Sequence, residues 1–263
     1  MAVILRVGIP KPNGSMTREL HRRRQPVLIS AGALWDPRTE AFRCSGLLLL
    51  RMDCALDSAG FVRGLSGYPW SVEQYVELAA GSSWAWWAQM DLPCEAAIAP
   101  DRETVVRRVI ESAALFRRCA AAAETARQAS AFLRETFADP MPVLQGRRLE
   151  DYQRSIELLS PLPALVGVGS MCTRPIHGPE GLVPIVEGLH QLLPASVQLH
   201  LFGVKGPALA ALERFGDRIL SVDSMAYDIH ARKTAHREQV SNTVARRTSV
   251  MLDWISKQGP CQR

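Results

Sequence analysis

Two Asp-Ser pairs, Asp57-Ser58 and Asp223-Ser224, each close an apolar run: Cys54-Ala55-Leu56 precedes the first and Ile219-Leu220-Ser221-Val222 the second. Asp91 follows the apolar stretch Trp84 to Met90, Gln145 follows Pro142-Val143-Leu144, and Gly169 and Gly203 end the runs Val166-Gly167-Val168 and Leu199-His200-Leu201-Phe202. A carboxylate at a strand end is poorly placed for packing and well placed for chemistry, because the loops after the strands of a parallel α/β fold form the active-site rim. Two such carboxylates at one centre suit acid/base or nucleophilic work. Singly, each aspartate also suits a helix N-cap or an Asx turn. Jointly, three aspartates and a glutamine at the ends of different strands would converge on a small volume with little to satisfy them, and that favours a site.

The elements that must position these residues alternate. Short runs rich in branched residues are separated by longer segments with helical spacing, the α/β pattern. Eight strands are predicted: Val3 to Ile9, Pro26 to Ser30, Gly46 to Arg51 extending to Leu56, Trp84 to Met90, Pro142 to Gln145, Ala164 to Val168, Val197 to Phe202 and Ile219 to Val222. Eight is the number a (β/α)8 TIM barrel needs, so the fold expected is α/β, one barrel domain over residues 1–263. Ser71 reads as an N-cap for a helix over Val72 to Ala80, with Glu73 favourably placed in its first turn. Further helices are expected over Arg102 to Phe137 (one long or two consecutive), Leu149 to Leu159, Pro179 to Leu193, Pro207 to Phe215 and Ser241 to Lys257. Trp84, Trp86 and Trp87 read as core or helix-facing residues.

With 263 residues, 47% of them hydrophobic, the chain can bury a sizeable core. A net charge of +5 favours a polyanionic partner without requiring one. The cysteines Cys44, Cys54, Cys94, Cys119, Cys172 and Cys261 form no C-x-x-C pair and read as reduced, mostly buried thiols, signalling neither zinc nor a redox dithiol. No apolar run has the length of a membrane span and no signal peptide is evident, so a soluble, cytoplasmic protein without membrane contact is expected.

His200-Leu201-Phe202-Gly203 followed by Val222-Asp223-Ser224-Met225-Ala226-Tyr227, with Asp57-Ser58-Ala59-Gly60-Phe61 upstream, resembles the tRNA-guanine transglycosylase family, most of all its archaeosine-type and DNA-modifying 7-deazaguanine members. Met90-Asp91-Leu92-Pro93, Val143-Leu144-Gln145-Gly146 and Val166-Gly167-Val168-Gly169 continue the resemblance in order, over most of the barrel. It implies an exchange of guanine for a 7-deazaguanine base, without a cofactor. By this resemblance Asp223 is the nucleophile that attacks the sugar and Asp57 the general acid/base; Asp91 accepts from the N1–H and amine of the base. Gln145 and the Gly169 N–H would donate to the base carbonyl, Phe61 and Phe202 would sandwich the ring, and Gly203 and Gly60 would let the ligand approach the backbone. Core packing accounts equally for either phenylalanine, and a tight turn for either glycine.

The chain departs from the tRNA enzymes in lacking their C-x-C-x-x-C cluster, so no zinc subdomain and no metal are expected. That favours the DNA-modifying branch. DNA is then the expected partner, with tRNA the alternative, together with free 7-cyano-7-deazaguanine or a relative and possible helper proteins. Arg147 and Arg148, beside the expected rim, are the first choice for phosphate contacts among several basic clusters, most of which read as solvated helix faces. A tRNA enzyme reduced to its barrel and a non-catalytic partner subunit are the other readings. The second would be expected to have lost a catalytic aspartate, and all three are present.

Overall fold

A computed structural model describes residues 3–12, 14–43, 52–64 and 66–258. Its order is β1 (Ile4–Ile9), α1 (Ser15–Arg22), β2 (Val27–Ser30), β3 (Trp35–Asp36), β4 (Ala41–Phe42), β5 (Cys54–Asp57), α2 (Gly60–Arg63), α3 (Val72–Ala80) and β6 (Trp86–Trp87). There follow α4 (Arg102–Ala129), α5 (Ala131–Thr136), β7 (Val143–Leu144), α6 (Leu149–Leu159), β8 (Leu165–Val168), α7 (Leu182–Leu192), β9 (Gln198–Leu201), α8 (Leu209–Leu212), β10 (Ile219–Ser224), α9 (Ala226–Arg237) and α10 (Val244–Lys257).

Eight of the strands form one parallel sheet in the order β6-β5-β2-β1-β10-β9-β8-β7, so the first and last strands of the sheet, β1 and β10, pair at its middle. The sheet curls into a half-barrel. Its outer strands β6 and β7 share no ladder; they meet at one parallel bridge, Ala88 to Met141, where Met141 N–H donates to Trp87 O (2.8 Å) and Gln89 N–H to Met141 O (3.0 Å). The Gln89 side chain completes this seam: its Oε1 accepts from Val143 N–H at 3.0 Å and its Nε2 donates to Ser112 O at 2.7 Å. The expected parallel eight-stranded α/β sheet is therefore present, but a continuous ring of ladders is not.

Side chains alternate across the strands as the pleat requires. Trp86 points into the curl, against His200 (ring centroids 4.6 Å) and Phe202 (6.1 Å), whereas its neighbour Trp87 points outward, stacking on Phe137 at 5.3 Å. Both are buried, as read from the sequence. Leu28, Ala55, Val143 and Met141 fill the inside of the curl with Trp86, while a larger cluster built on β8, β9, α6 and α7 covers the outside.

Several expectations need correction. Between β2 and β5 the described residues carry the β3–β4 hairpin, an element the sequence reading did not place. The strand expected over Gly46 to Arg51 lies outside the described residues, and its described continuation is β5. The Trp84–Met90 strand pairs only at β6 and the Ala88 bridge. The helix expected over Pro207–Phe215 is reduced to α8 between 3-10 turns, since Pro207 opens the first of them and Gly216, with φ 51° and ψ −126°, breaks the last. Arg102–Phe137 is two consecutive helices, broken at Ser130, which leaves helical geometry and caps α5 through Leu133 N–H. Cys54, Cys94, Cys119 and Cys172 are free thiols, and no helix among the described residues is long and apolar enough to cross a membrane.

Candidate active site

Because all eight strands are parallel, their C-terminal ends open on one side, and a cavity of about 410 Å³ lies there. Asp57, Asp91, Gln145, Gly169, Gly203, Asp223, Phe61 and Phe202 all line it. The three aspartates sit in different environments.

Asp223 ends β10. Its Oδ1 accepts from Gly203 N–H at 2.8 Å and has the His200 Nε2 at 3.4 Å, while Oδ2 makes no hydrogen bond among the described residues. One oxygen is anchored and the other is free to react. Burial lowers the pKa of His200 against the opposing pull of Asp223, so the ring is neutral at neutral pH, with Nδ1 2.8 Å from Ser221 Oγ. His200 has no place among the site residues read from the sequence, because a histidine inside a strand gives no signal of facing a carboxylate on the next one.

Asp57 ends β5 and turns back to accept from Ala59 N–H at 3.1 Å. Burial, reinforced by the charges of Asp91 and Asp223, pushes its carboxyl up to about 7. A group poised there exchanges protons in both directions at neutral pH. The turn that follows is strained: Ala59 has φ 71°, a left-handed conformation rare without a functional constraint.

Asp91 is hydrogen-bonded once at each carboxylate oxygen. Ser58 Oγ donates to its Oδ1 at 2.7 Å, Gln145 Nε2 bonds its Oδ2, and Tyr68 OH donates to its backbone carbonyl at 2.8 Å. Burial raises its pKa while Ser58 and Gln145 hold it down. Both of its oxygens are thus fixed in place by neighbouring donors. Gly60 is needed beside it, since a Cβ there would lie 2.5 Å from Asp91 Oδ1.

Gln145 and Gly169 are not arranged as expected. The Gly169 N–H donates to Leu144 O at 2.9 Å, so it is committed to the backbone rather than available to a base carbonyl. The Gln145 amide is spread between Asp91 and Ser170, whose hydroxyl donates to Oε1 at 2.5 Å. What Gly169 supplies is space: a Cβ there would lie 2.1 Å from Gln145 Nε2. Gly169→Ala should therefore expel Gln145 from its contact with Asp91 and, if the cavity takes the guanine-type base that the resemblance implies, weaken its binding by about tenfold or more. Titration of the variant with labelled guanine, beside a melting curve that shows it folded, checks this.

Phe61 is 46% exposed at the mouth of the cavity. Phe202 is half-buried, edge-on to His200 at 4.5 Å. Arg147 and Arg148 stand outside the cavity lining. Both bond Glu180, through Nε at 3.0 and 3.2 Å, so their charge is partly neutralised. Sequence reading also missed Glu95, a buried carboxyl in the cavity wall, because it lies in an irregular segment beyond the strand end with no periodicity to mark it. Among the described residues no group of three or more His, Cys, Asp or Glu side chains is arranged to hold a metal ion.

The model of the family described as DpdA, DeoxyPurine in DNA protein A, matches residues 40–257, most of the chain and every residue of the cavity wall from Asp57 onward. The chain belongs to the DpdA family. Membership places it among DNA-modifying transglycosylases and supports the resemblance read from its motifs. Comparison with curated proteins gives no match. The match begins at residue 40, so within the DpdA region fall Asp57, Asp91, Gln145, Gly169, Gly203 and Asp223.

Proposed function

We propose that this protein is a pentosyltransferase that replaces guanine in DNA by a 7-deazaguanine base, 7-cyano-7-deazaguanine or a relative, through a covalent glycosyl-aspartate intermediate. The observation that carries this reading is the convergence of Asp57, Asp91 and Asp223 on one cavity in three distinct states: proton-exchanging, hydrogen-bonded once at each oxygen, and half free. We read the curled sheet as a single (β/α)8 barrel domain that serves this site.

The free Oδ2 of Asp223 attacks the anomeric carbon as the bond to guanine breaks, and the departing base takes a proton from Asp57. The incoming base then returns a proton to Asp57 and attacks the same carbon, releasing Asp223. Asp57 ends each cycle as it began. Asp91 keeps unused lone pairs on both oxygens for the N1–H and amine of the base, and Phe61 and Phe202 flank the ring, where stacking is worth roughly 1 to 3 kcal/mol. A base inside a duplex must first be extruded, at a cost of a few kcal/mol. Arg147 and Arg148 would help offset this by sharing their charge between Glu180 and phosphate, whose contribution is salt-dependent.

The test is incubation of the purified protein with labelled 7-cyano-7-deazaguanine and either duplex DNA or unmodified tRNA. Label in DNA alone is the expected result. Label in tRNA alone would transfer the same chemistry to the other polymer, and label in neither would remove the reading for the isolated chain and point to a required helper protein or a non-catalytic role.

A further inference from the structure

The carboxyl of Glu95 lies in the wall of the same cavity, in a residue only 6% exposed, and its Oε2 has no hydrogen-bond partner among the described residues. The preceding residue fixes its place: Cys94 N–H donates to Ser170 Oγ at 2.7 Å, and that hydroxyl donates to Gln145, so Glu95 is held beside the Gln145–Asp91 wall. The nearby cations are committed elsewhere. Arg108 donates to Pro93 O and Gly64 O, and Arg174 to the carbonyls of Ser170, Gly146, Arg147 and Glu180. A buried polar atom left without a partner is costly, so one in the wall of a cavity calls for a ligand atom.

We propose that Glu95 is a specificity-determining residue whose carboxyl donates a hydrogen bond to the carbonyl edge of the bound base; this rests on the base-exchange reading of the cavity. The edge needs a donor. The Gly169 N–H is spent on Leu144, and Gln145 has at most its second amide N–H to offer. Burial, with Asp91 adding to it and the Glu95 backbone N–H, Arg174 and Arg108 opposing, pushes the Glu95 carboxyl up to about 7, so below that pH it carries the proton it would donate.

The experiment is equilibrium binding, near pH 6, of labelled guanine and of 2-aminopurine, which lacks the carbonyl, to the full chain and to Glu95→Gln and Glu95→Ala. Loss of one such bond is about tenfold in affinity. Glu95→Ala should lose about that for guanine and nothing for 2-aminopurine, while Glu95→Gln, whose amide also donates, stays within roughly threefold of the parent on the same scale. Guanine affinity unchanged in Glu95→Ala, or an equal loss for both purines, would overturn the assignment and leave the base-exchange reading standing. Failure of the parent protein to bind any guanine-type base would remove both. Should Glu95→Ala not fold, Glu95→Leu, apolar and close in size, gives the same comparison.

Discussion

Asp223→Asn should abolish base exchange, by at least about a thousandfold, and leave the fold intact. An amide oxygen is too weak a nucleophile to displace a base from an anomeric carbon, yet it keeps the shape of the carboxylate and can still accept from Gly203 N–H, as Oδ1 does now at 2.8 Å. The backbone is held independently, since Val204 N–H donates to Asp223 O at 2.8 Å within the sheet-end register. The readouts are incorporation of labelled base into DNA and denaturing electrophoresis for a protein–DNA adduct. The parent should form the adduct when incubated with DNA in the absence of incoming base, and Asp223→Asn should not. Substantial exchange by the variant, or an adduct that survives the substitution, would remove Asp223 as nucleophile.

Asp57→Asn carries the second largest effect, and it acts in opposite directions on activity and stability. Loss of a general acid/base lowers the rate by about 10² to 10⁴. In the parent, release of guanine needs Asp57 protonated, so kcat/KM for the DNA should fall as pH rises through about 7; capture of the incoming base needs it ionised, so kcat/KM for the free base should fall as pH drops below about 7. Both limbs should vanish in the variant. Stability follows from the same shift. The folded state keeps the Asp57 proton up to about 7 while the unfolded chain loses it near the ordinary value of 3.8, so the folded state binds more protons in that window and loses stability as pH rises through it. An asparagine has no charge to bury. The variant should therefore match the parent near pH 4 and exceed it near pH 8 by on the order of a few kcal/mol, read as urea midpoints at the two values. Equal midpoints at pH 8 would show that the ionised carboxylate is not penalised in its cavity.

Much of the arrangement was legible in the chain because polar residues punctuate apolar runs at strand ends. Asp57, Asp91, Gln145 and Asp223 are visible as interruptions, and parallel strands must deliver them to one side. Helices with a side-chain cap were equally plain: Ser71 before α3, Asp101 before α4 and Thr243 before α10 all accept from a backbone N–H in the first turn. The helices that went unread, α1, α2 and α9, start at Gly14, Ala59 and Met225, none of which supplies such a bond. Hydrogen-bond commitments were invisible for another reason. Whether the Gly169 N–H faces a ligand or the preceding strand depends on register, and whether Arg147 and Arg148 are free depends on Glu180, thirty-two and more residues away.

The seam between β6 and β7 gives the site a mechanical meaning. Asp91 follows one of these strands and Gln145 the other, and the two side chains bond each other across a seam that also carries one backbone bridge, the amide of Gln89 and the Trp87 indole bond to Ala138 O. The groups proposed to read the base are thus also a clasp across the seam of the half-barrel. On the proposed reading, a heterocycle held by both would add a tie between the two outer strands of the sheet, so filling the pocket should raise protection of the β6–β7 seam against local opening.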